Sequence, residues 1–155
     1  MLRISRLTDY ATVILASLGG GGLASAADIA ERIHIGLPTV SKLLKELQHA
    51  GLVKSVRGAR GGYQLARPAT GISAADIIDA VEGPVALTEC ASGSGQCGIE
   101  TTCAVGHGWQ GVSQAIRRAL IGISLTDLVS RDGEFPTPDL RRPAAREAWR
   151  PLVRG

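Results

Sequence analysis

Residues 25–65 contain the pattern that most constrains the fold: two short amphipathic helices joined by a brief turn, followed by a glycine-rich hairpin. Ser25, with Asp28 three residues later, is typical of a capped helix start. Pro38 suits the first position of the next helix, and Gly51 supplies its C-terminal cap. This order of elements predicts a mainly α chain with a small β-hairpin wing, a winged helix-turn-helix.

The segments around this pair of helices complete the domain. Apolar residues at helical spacing predict a first helix over residues 4–18, which a run of four glycines at 19–22 ends. Two short strands are predicted over residues 52–56 and 63–66, and residues 57–62 form the hairpin tip between them.

Three further segments follow. Ser73 begins a fourth helix that Gly83 closes, and residues 88–108 have almost no apolar periodicity, which predicts a loop. A long helix is predicted over residues 109–130, with apolar residues on two sides. One side can face its own domain and the other a partner helix, so we expect a homodimer joined by this helix. Residues 131–155 hold four of the seven prolines and are expected to form a flexible tail.

The charge distribution divides the chain in the same way. The 155 residues carry 17 Lys and Arg against 14 Asp and Glu. Residues 1–68 have a balance of +5, residues 69–130 of −4 and residues 131–155 of +2. We therefore expect a winged helix-turn-helix DNA-binding domain over 1–68, a cysteine loop and dimerisation helix over 69–130, and the tail over 131–155.

Several classes of protein are excluded by composition. The chain is 45% hydrophobic, enough for a core, but no apolar run approaches the roughly 20 residues that span a bilayer. The first residues lack the long apolar segment of a signal peptide. Three cysteines fit a disulfide framework poorly. These features favour a cytoplasmic protein that does not enter membranes.

Basic residues concentrate on the second helix of the pair and on the hairpin. Lys and Arg side chains attract DNA phosphates through counterion release, and a helix fits the major groove. Outward side chains at the N-terminal end of such a helix reach base edges, and arginines at a wing tip reach the backbone or minor groove. The sequence therefore predicts binding to double-stranded promoter DNA through Thr39, Ser41, Lys42, Lys45, Arg57 and Arg60.

The three cysteines lie together in the predicted loop. Six residues separate Cys90 from Cys97, five separate Cys97 from Cys103, and His107 follows four residues beyond. These gaps are longer than those of usual zinc sites. Thiolates spread over a glycine-rich loop can hold an iron–sulfur cluster, whose four ligands include His in some proteins. Reversible thiol oxidation is the alternative.

At this point the chain resembles a known family. Residues 6–11, residues 52–65 and the three-cysteine loop before a long helix are similar to the IscR/NsrR-type winged-helix iron–sulfur regulators, most of all those of the Suf assembly system. The resemblance covers about residues 1–130. It implies a homodimer, DNA binding by the winged domain, a cluster at the cysteines and control of iron–sulfur assembly genes. It favours a 2Fe–2S over a 4Fe–4S cluster.

The chain departs from the IscR pattern in two spacings, and this leaves the fourth ligand open. That pattern has five residues in the first cysteine gap and its histidine three residues after the third cysteine, whereas here both intervals are one longer. We rank His107 first, because imidazole suits iron. Asp9 is the alternative, by similarity to NsrR-type members that use an aspartate of the other subunit. Glu89 and Glu100 are further candidates.

The sequence leaves two other functions to compare with this one. A thiol-redox or zinc-sensing regulator with the same fold is the main alternative, because the same cysteines could serve it. An enzyme using a cysteine with His107 lacks an orienting third residue and the strand-turn-helix setting of a nucleophile. We therefore expect no catalytic activity.

Overall fold

Six α-helices and a two-stranded antiparallel sheet make up the described part of the chain, which in this computed structural model is residues 4–85 and 105–130. Residues 86–104 and 131–155, with the three cysteines and the predicted tail, lie outside it. The helices and strands are α1 (Arg6–Leu18), α2 (Ala26–Ile33), α3 (Leu37–His49), β1 (Val53–Val56), β2 (Gly62–Leu65), α4 (Ala74–Glu82), α5 (Gly106–Ile121) and α6 (Leu125–Val129). The mainly α fold with a hairpin wing is thereby confirmed.

Three of the helices start with the same device. In each, a serine hydroxyl accepts from the backbone N–H three residues later, and the aspartate there accepts from the serine N–H. This reciprocal capping satisfies two backbone donors that have no partner inside the helix. The serine–aspartate pairs are Ser25–Asp28 on α2, Ser73–Asp76 on α4 and Ser124–Asp127 on α6.

α3 places its apolar side against the core. Its inward residues, Val40, Leu43, Leu44 and Leu47, are fully buried, as their spacing predicts. Burial of each such side chain contributes about 1.5–3 kcal/mol. The predicted start is one residue late: Gly36 is the N-cap, so Leu37 takes the first helical position and Pro38 the second. Proline is tolerated there because N–H groups of the first turn have no intrahelical acceptor.

The wing is a hairpin with one additional neighbour. Val53 pairs with Leu65 and Val56 with Gly62. β1 therefore begins one residue after its predicted start, and β2 begins and ends one residue before its predicted bounds. Ala24, just before α2, forms a bridge to Tyr63, with N–O distances of 2.8 and 3.1 Å in the two directions. The wing is thus attached to the start of the helix-turn-helix through backbone hydrogen bonds that the sequence pattern did not indicate.

The prediction of one long helix over residues 109–130 is wrong in its extent. α5 begins earlier, at Gly106, and ends at Ile121, after which the chain turns and α6 begins. The turn is held by backbone hydrogen bonds from Ala74 to Ile123 (2.8 Å) and from Leu125 to Ile72 (2.7 Å). A straight helix would carry Leu125 away from the domain, whereas the turn buries it.

One hydrophobic core joins the described elements. Ile72 and Ile77, from the segment after the wing, and Leu125 of α6 lie in the same cluster as the buried residues of α1, α2 and α3. α4 therefore packs directly onto the helix-turn-helix, and it also contacts α5. No helix within residues 4–85 and 105–130 is long and apolar enough to cross a membrane.

Candidate nucleic-acid interface

The outward face of α3 carries the predicted base-reading residues. Thr39 and Ser41 are half-buried near its N-terminal end, while Lys42 and Lys45 are exposed. The ammonium of Lys42 lies 3.9 Å from a carboxylate oxygen of Glu46, one helical turn on. At this distance and exposure the pair contributes little to stability and leaves the lysine free to move to a phosphate.

The wing tip presents Arg57 and Arg60 to solvent. Neither makes a salt bridge within the described residues. The tip turns at Gly58, whose φ of +119° suits glycine, and the Gly61 N–H donates to the Gly58 carbonyl at 2.9 Å. The predicted pair of wing arginines thus stands on a tight turn, as the glycine spacing indicated.

Lys54 and Leu37 are two further exposed residues on the wing and on α3. Lys54 belongs to the basic residues that the sequence concentrates in this region, and it precedes the wing tip on β1. Leu37 was not predicted to lie in the interface. Leu37 is 46% exposed at the start of α3, where an apolar side chain can contact a thymine methyl group. Leu37 takes this place because α3 starts one residue before the predicted Pro38.

Two other basic residues in the first 68 positions make contacts within the fold. Arg67 forms an ion pair with Asp76 at 2.9 Å, and Arg32 donates to the Ser17 carbonyl at 3.0 Å. Burial raises the pKa of Asp76, but its hydrogen bonds with Ser73 and the charge of Arg67 outweigh this and lower it overall. The positive charge of the first segment is therefore divided between an exposed face and internal contacts.

The candidate cluster ligands are only partly visible. Cys90, Cys97 and Cys103, with Glu89 and Glu100, lie outside the described residues. His107 belongs to the first turn of α5, and Asp9 is exposed in the first turn of α1. Asp9 lines a groove of about 870 Å³ between α1, α4, α5 and α6. The residues described here bring together no group of three metal-ligating side chains.

A winged helix-turn-helix whose recognition helix and wing expose basic residues defines a class: DNA-binding transcriptional regulators. The comparison with known families gives the next step. The family model described as Rrf2, iron-dependent transcriptional regulator, matches residues 4–131. The chain belongs to the Rrf2 family.

Individual relatives agree with this assignment. The chain is 33% identical over 138 residues to the HTH-type transcriptional regulator IscR of Cereibacter sphaeroides, covering 84% of this chain and 89% of that protein. It is similar to the solved structure of T. potens IscR, with 35% identity, TM-score 0.58, and 82% and 85% of the two chains covered. It is also similar to CymR, the global cysteine regulator of B. subtilis, with 33% identity, TM-score 0.62, and 83% and 96% covered.

Proposed function

We propose that this protein is a homodimeric transcription factor that binds promoter DNA through α3 and the wing and senses iron–sulfur cluster status. The observation that carries the DNA-binding part is the arrangement of α3. Its apolar side is fully buried in the domain, while Lys42 and Lys45 on the opposite side are exposed. Arg57 and Arg60 of the wing form a second exposed basic element.

The two elements have separate tasks in this proposal. Thr39 and Ser41, at the N-terminal end of α3, contact base edges in the major groove. Lys42, Lys45, Arg57 and Arg60 contact phosphates, or the wing arginines enter a narrow minor groove. Base contacts then set the sequence preference, and the cations supply much of the affinity.

Salt dependence tests the assignment of the cations. Replacing Arg60 by Ala should weaken binding to any duplex and reduce the slope of log K against log salt by about one per subunit. Arg118→Ala is the matched control, because Arg118 is exposed on α5 and its guanidinium contacts the Gln114 carbonyl of its own helix. Equal slopes for both variants and the wild type would contradict the role of the wing.

The cluster is proposed from the chemistry of the donors and from the relatives. Cys90, Cys97 and Cys103 would supply three thiolates, which suit iron. His107 is our first choice for the fourth ligand, with Asp9 of the other subunit as the alternative. The family description as iron-dependent and the relatives named IscR support this proposal. We favour a 2Fe–2S cluster, a cytoplasmic location and promoters of iron–sulfur assembly genes as targets.

Anaerobic purification tests the cluster. We expect visible absorption with iron and sulfide in the wild type, and loss of both in Cys90→Ala, Cys97→Ala and Cys103→Ala. His107→Ala and Asp9→Ala are compared side by side. The variant whose absorption spectrum changes identifies the fourth ligand. A colourless, iron-free wild type whose DNA binding is insensitive to all three cysteine changes would rule the cluster out.

The homodimer is proposed from the exposed side of α5. Trp109 and Val112 are 46% and 44% exposed, and with Ile116 they continue one row at helical spacing. Such a row is the surface that a second copy of the same helix covers. A dimer brings two recognition helices to half-sites about one helical turn apart, so changes near the cysteines that alter their relative pose change DNA affinity.

A thiol-based regulator is the second candidate. The similarity to CymR favours it, since that protein is described as a cysteine regulator, and its Staphylococcus aureus counterpart has been solved in an oxidised form. Metal and thiol analysis separates the two candidates. About one zinc per chain, or a reversible cysteine pair without metal, would favour this alternative over the cluster.

A further inference from the structure

Glu82, in the last turn of α4, makes contacts with the start of α1. Its carboxylate oxygen Oε1 accepts a hydrogen bond from the Ser5 backbone N–H at 3.0 Å and a short one from the Thr8 hydroxyl. These partners are 77 and 74 positions away in the chain. Glu82 thus adds a distant cap to a helix that the Ser5 hydroxyl already caps locally by accepting from Thr8 N–H.

The electrostatics of this contact suit a carboxylate. The N-terminus of a helix carries partial positive charge, which stabilises an anion placed beside it. The hydrogen bonds from Thr8 and Ser5 hold the pKa of Glu82 below its usual range, so the side chain stays ionised near neutral pH. Thr8 is only 3% exposed whereas Glu82 is exposed, so their contact lies at the edge of the packed interior of the domain.

The same turn of α4 is also fixed to α5. Both guanidinium Nη atoms of Arg117 donate to the two carboxylate oxygens of Asp79, at 2.7 and 2.5 Å. Bidentate pairs of this kind fix orientation as well as distance. Residues 79–82 consequently hold α1 on one side and the candidate dimer helix on the other, and the chain then continues through Gly83 towards the three cysteines.

We propose that Glu82 is the positioning residue that couples the cysteine segment to the DNA-binding unit, by holding the N-terminus of α1 to the last turn of α4. The inference rests on the proposed function and adds the route within one subunit. α1 packs against α2, α3 and β2, so a shift at its N-terminus is transmitted to the recognition helix and the wing. A displacement of α4 by about 1 Å is enough to break the hydrogen bond from Ser5 and to weaken the one from Thr8.

The experiment measures the ratio of DNA affinities of two forms of each variant. The full-length protein is prepared anaerobically in its iron-loaded form and, after chelation, in its metal-free form with reduced thiols. The variants are Glu82→Ala, which removes both hydrogen bonds, Glu82→Gln, which keeps an acceptor oxygen, and Thr8→Val. Glu31→Gln is the control, because Glu31 is an exposed carboxylate on α2. Absorption spectra and thermal melting verify loading and folding.

We expect the two wild-type forms to differ in DNA affinity by about tenfold, a typical coupling between sites. Glu82→Ala and Thr8→Val should reduce this ratio to below about twofold, while both forms still bind DNA and load iron. Glu82→Gln and Glu31→Gln should keep most of the ratio. A purely structural role for Glu82 would change the affinity of both forms equally and leave the ratio intact, which would overturn the inference.

Hydrogen exchange supplies a readout that does not depend on DNA. Amide protection over residues 5–12 should differ between the two wild-type forms and be the same in the two forms of Glu82→Ala. If the two wild-type forms have the same protection and the same DNA affinity, both the proposed sensing function and the role of Glu82 are contradicted. A responsive wild type beside an equally responsive Glu82→Ala contradicts this inference alone.

Discussion

At the residue scale, the glycines of the wing tip have two different roles. Gly58 allows the tip to turn through its positive φ. Gly61 and Gly62 are required for a different reason, which is close approach. A Cβ on Gly61 would lie 2.3 Å from the Val56 carbonyl oxygen, and one on Gly62 would lie 2.7 Å from that of Ala24.

Gly62→Ala should therefore destabilise the protein by about 1–3 kcal/mol, the usual cost of overpacking, because backbone must move to admit the methyl group. Urea unfolding followed by circular dichroism measures the change. Gly71→Ala is the matched control, since a Cβ there meets nothing within 4 Å. An alanine at an unstrained position is expected to be neutral or to stabilise by about 0.4–1 kcal/mol. Equal effects at the two positions would contradict this account.

His34 is the non-glycine residue with positive φ among the described positions, at +55° in the turn between α2 and α3. The left-handed conformation costs an L residue roughly 1–2 kcal/mol, which glycine avoids. His34→Gly is thus expected to raise the free energy of unfolding by about 1 kcal/mol. His34→Asn should change it less, because asparagine tolerates this conformation. A lower free energy of unfolding for His34→Gly would show that the imidazole stabilises the protein more than the left-handed backbone conformation destabilises it.

At the element scale, the repeated serine–aspartate cap explains the starts of three of the six described helices. The sequence predicts two of its three occurrences, at Ser25 and Ser73. The third, at Ser124, has the same spacing but falls inside a longer apolar periodicity, which predicts one continuous helix. The local cap and the preceding Gly122 were the available signals for a break.

The caps predict a stability that depends on acid pH. Hydrogen bonds with Ser25 and Ser124 lower the pKa of Asp28 and Asp127, and Asp76 is lowered overall as well. Because these values lie below those of the unfolded chain, the stabilisation is present above about pH 4 and is lost as pH falls through the folded values. Urea midpoints measured from pH 6 to pH 3 should fall, and fall less steeply for Asp76→Asn. Parallel curves would contradict the assignment.

At the scale of the whole molecule, the proposed dimer depends on the exposed row of α5. Val112→Glu places a charge in the middle of that row and should convert the protein to a monomer, because a buried unpaired carboxylate is costly. Light scattering after size-exclusion chromatography measures the mass, and binding to two-half-site DNA should weaken with it. Gln114→Glu, exposed on the same helix outside the row, is the control. A dimeric Val112→Glu would place the interface elsewhere.

The fold was more predictable than the site. The helix-turn-helix and wing follow from local patterns, since caps, turns and apolar periodicity act over a few residues. The exposed side chains that we propose as DNA contacts also follow, because residues opposite a buried stripe must face outward. The contacts of Arg67 with Asp76 and of Glu82 with Thr8 could not be found this way, as each joins residues that only the packed chain brings together.

The sequence by itself determined which segments are helical, which face of α3 is buried and which residues carry thiol and cationic chemistry, because these depend on side-chain type and near-neighbour spacing. The tertiary structure decided where α5 ends, how Ala24 joins the wing and which elements α4 holds together. Those features arise from hydrogen bonds and burial between distant segments, whose geometry exists only after the core has formed. The contacts of Glu82 with Ser5 and Thr8 at the start of α1 are a consequence of that packing alone.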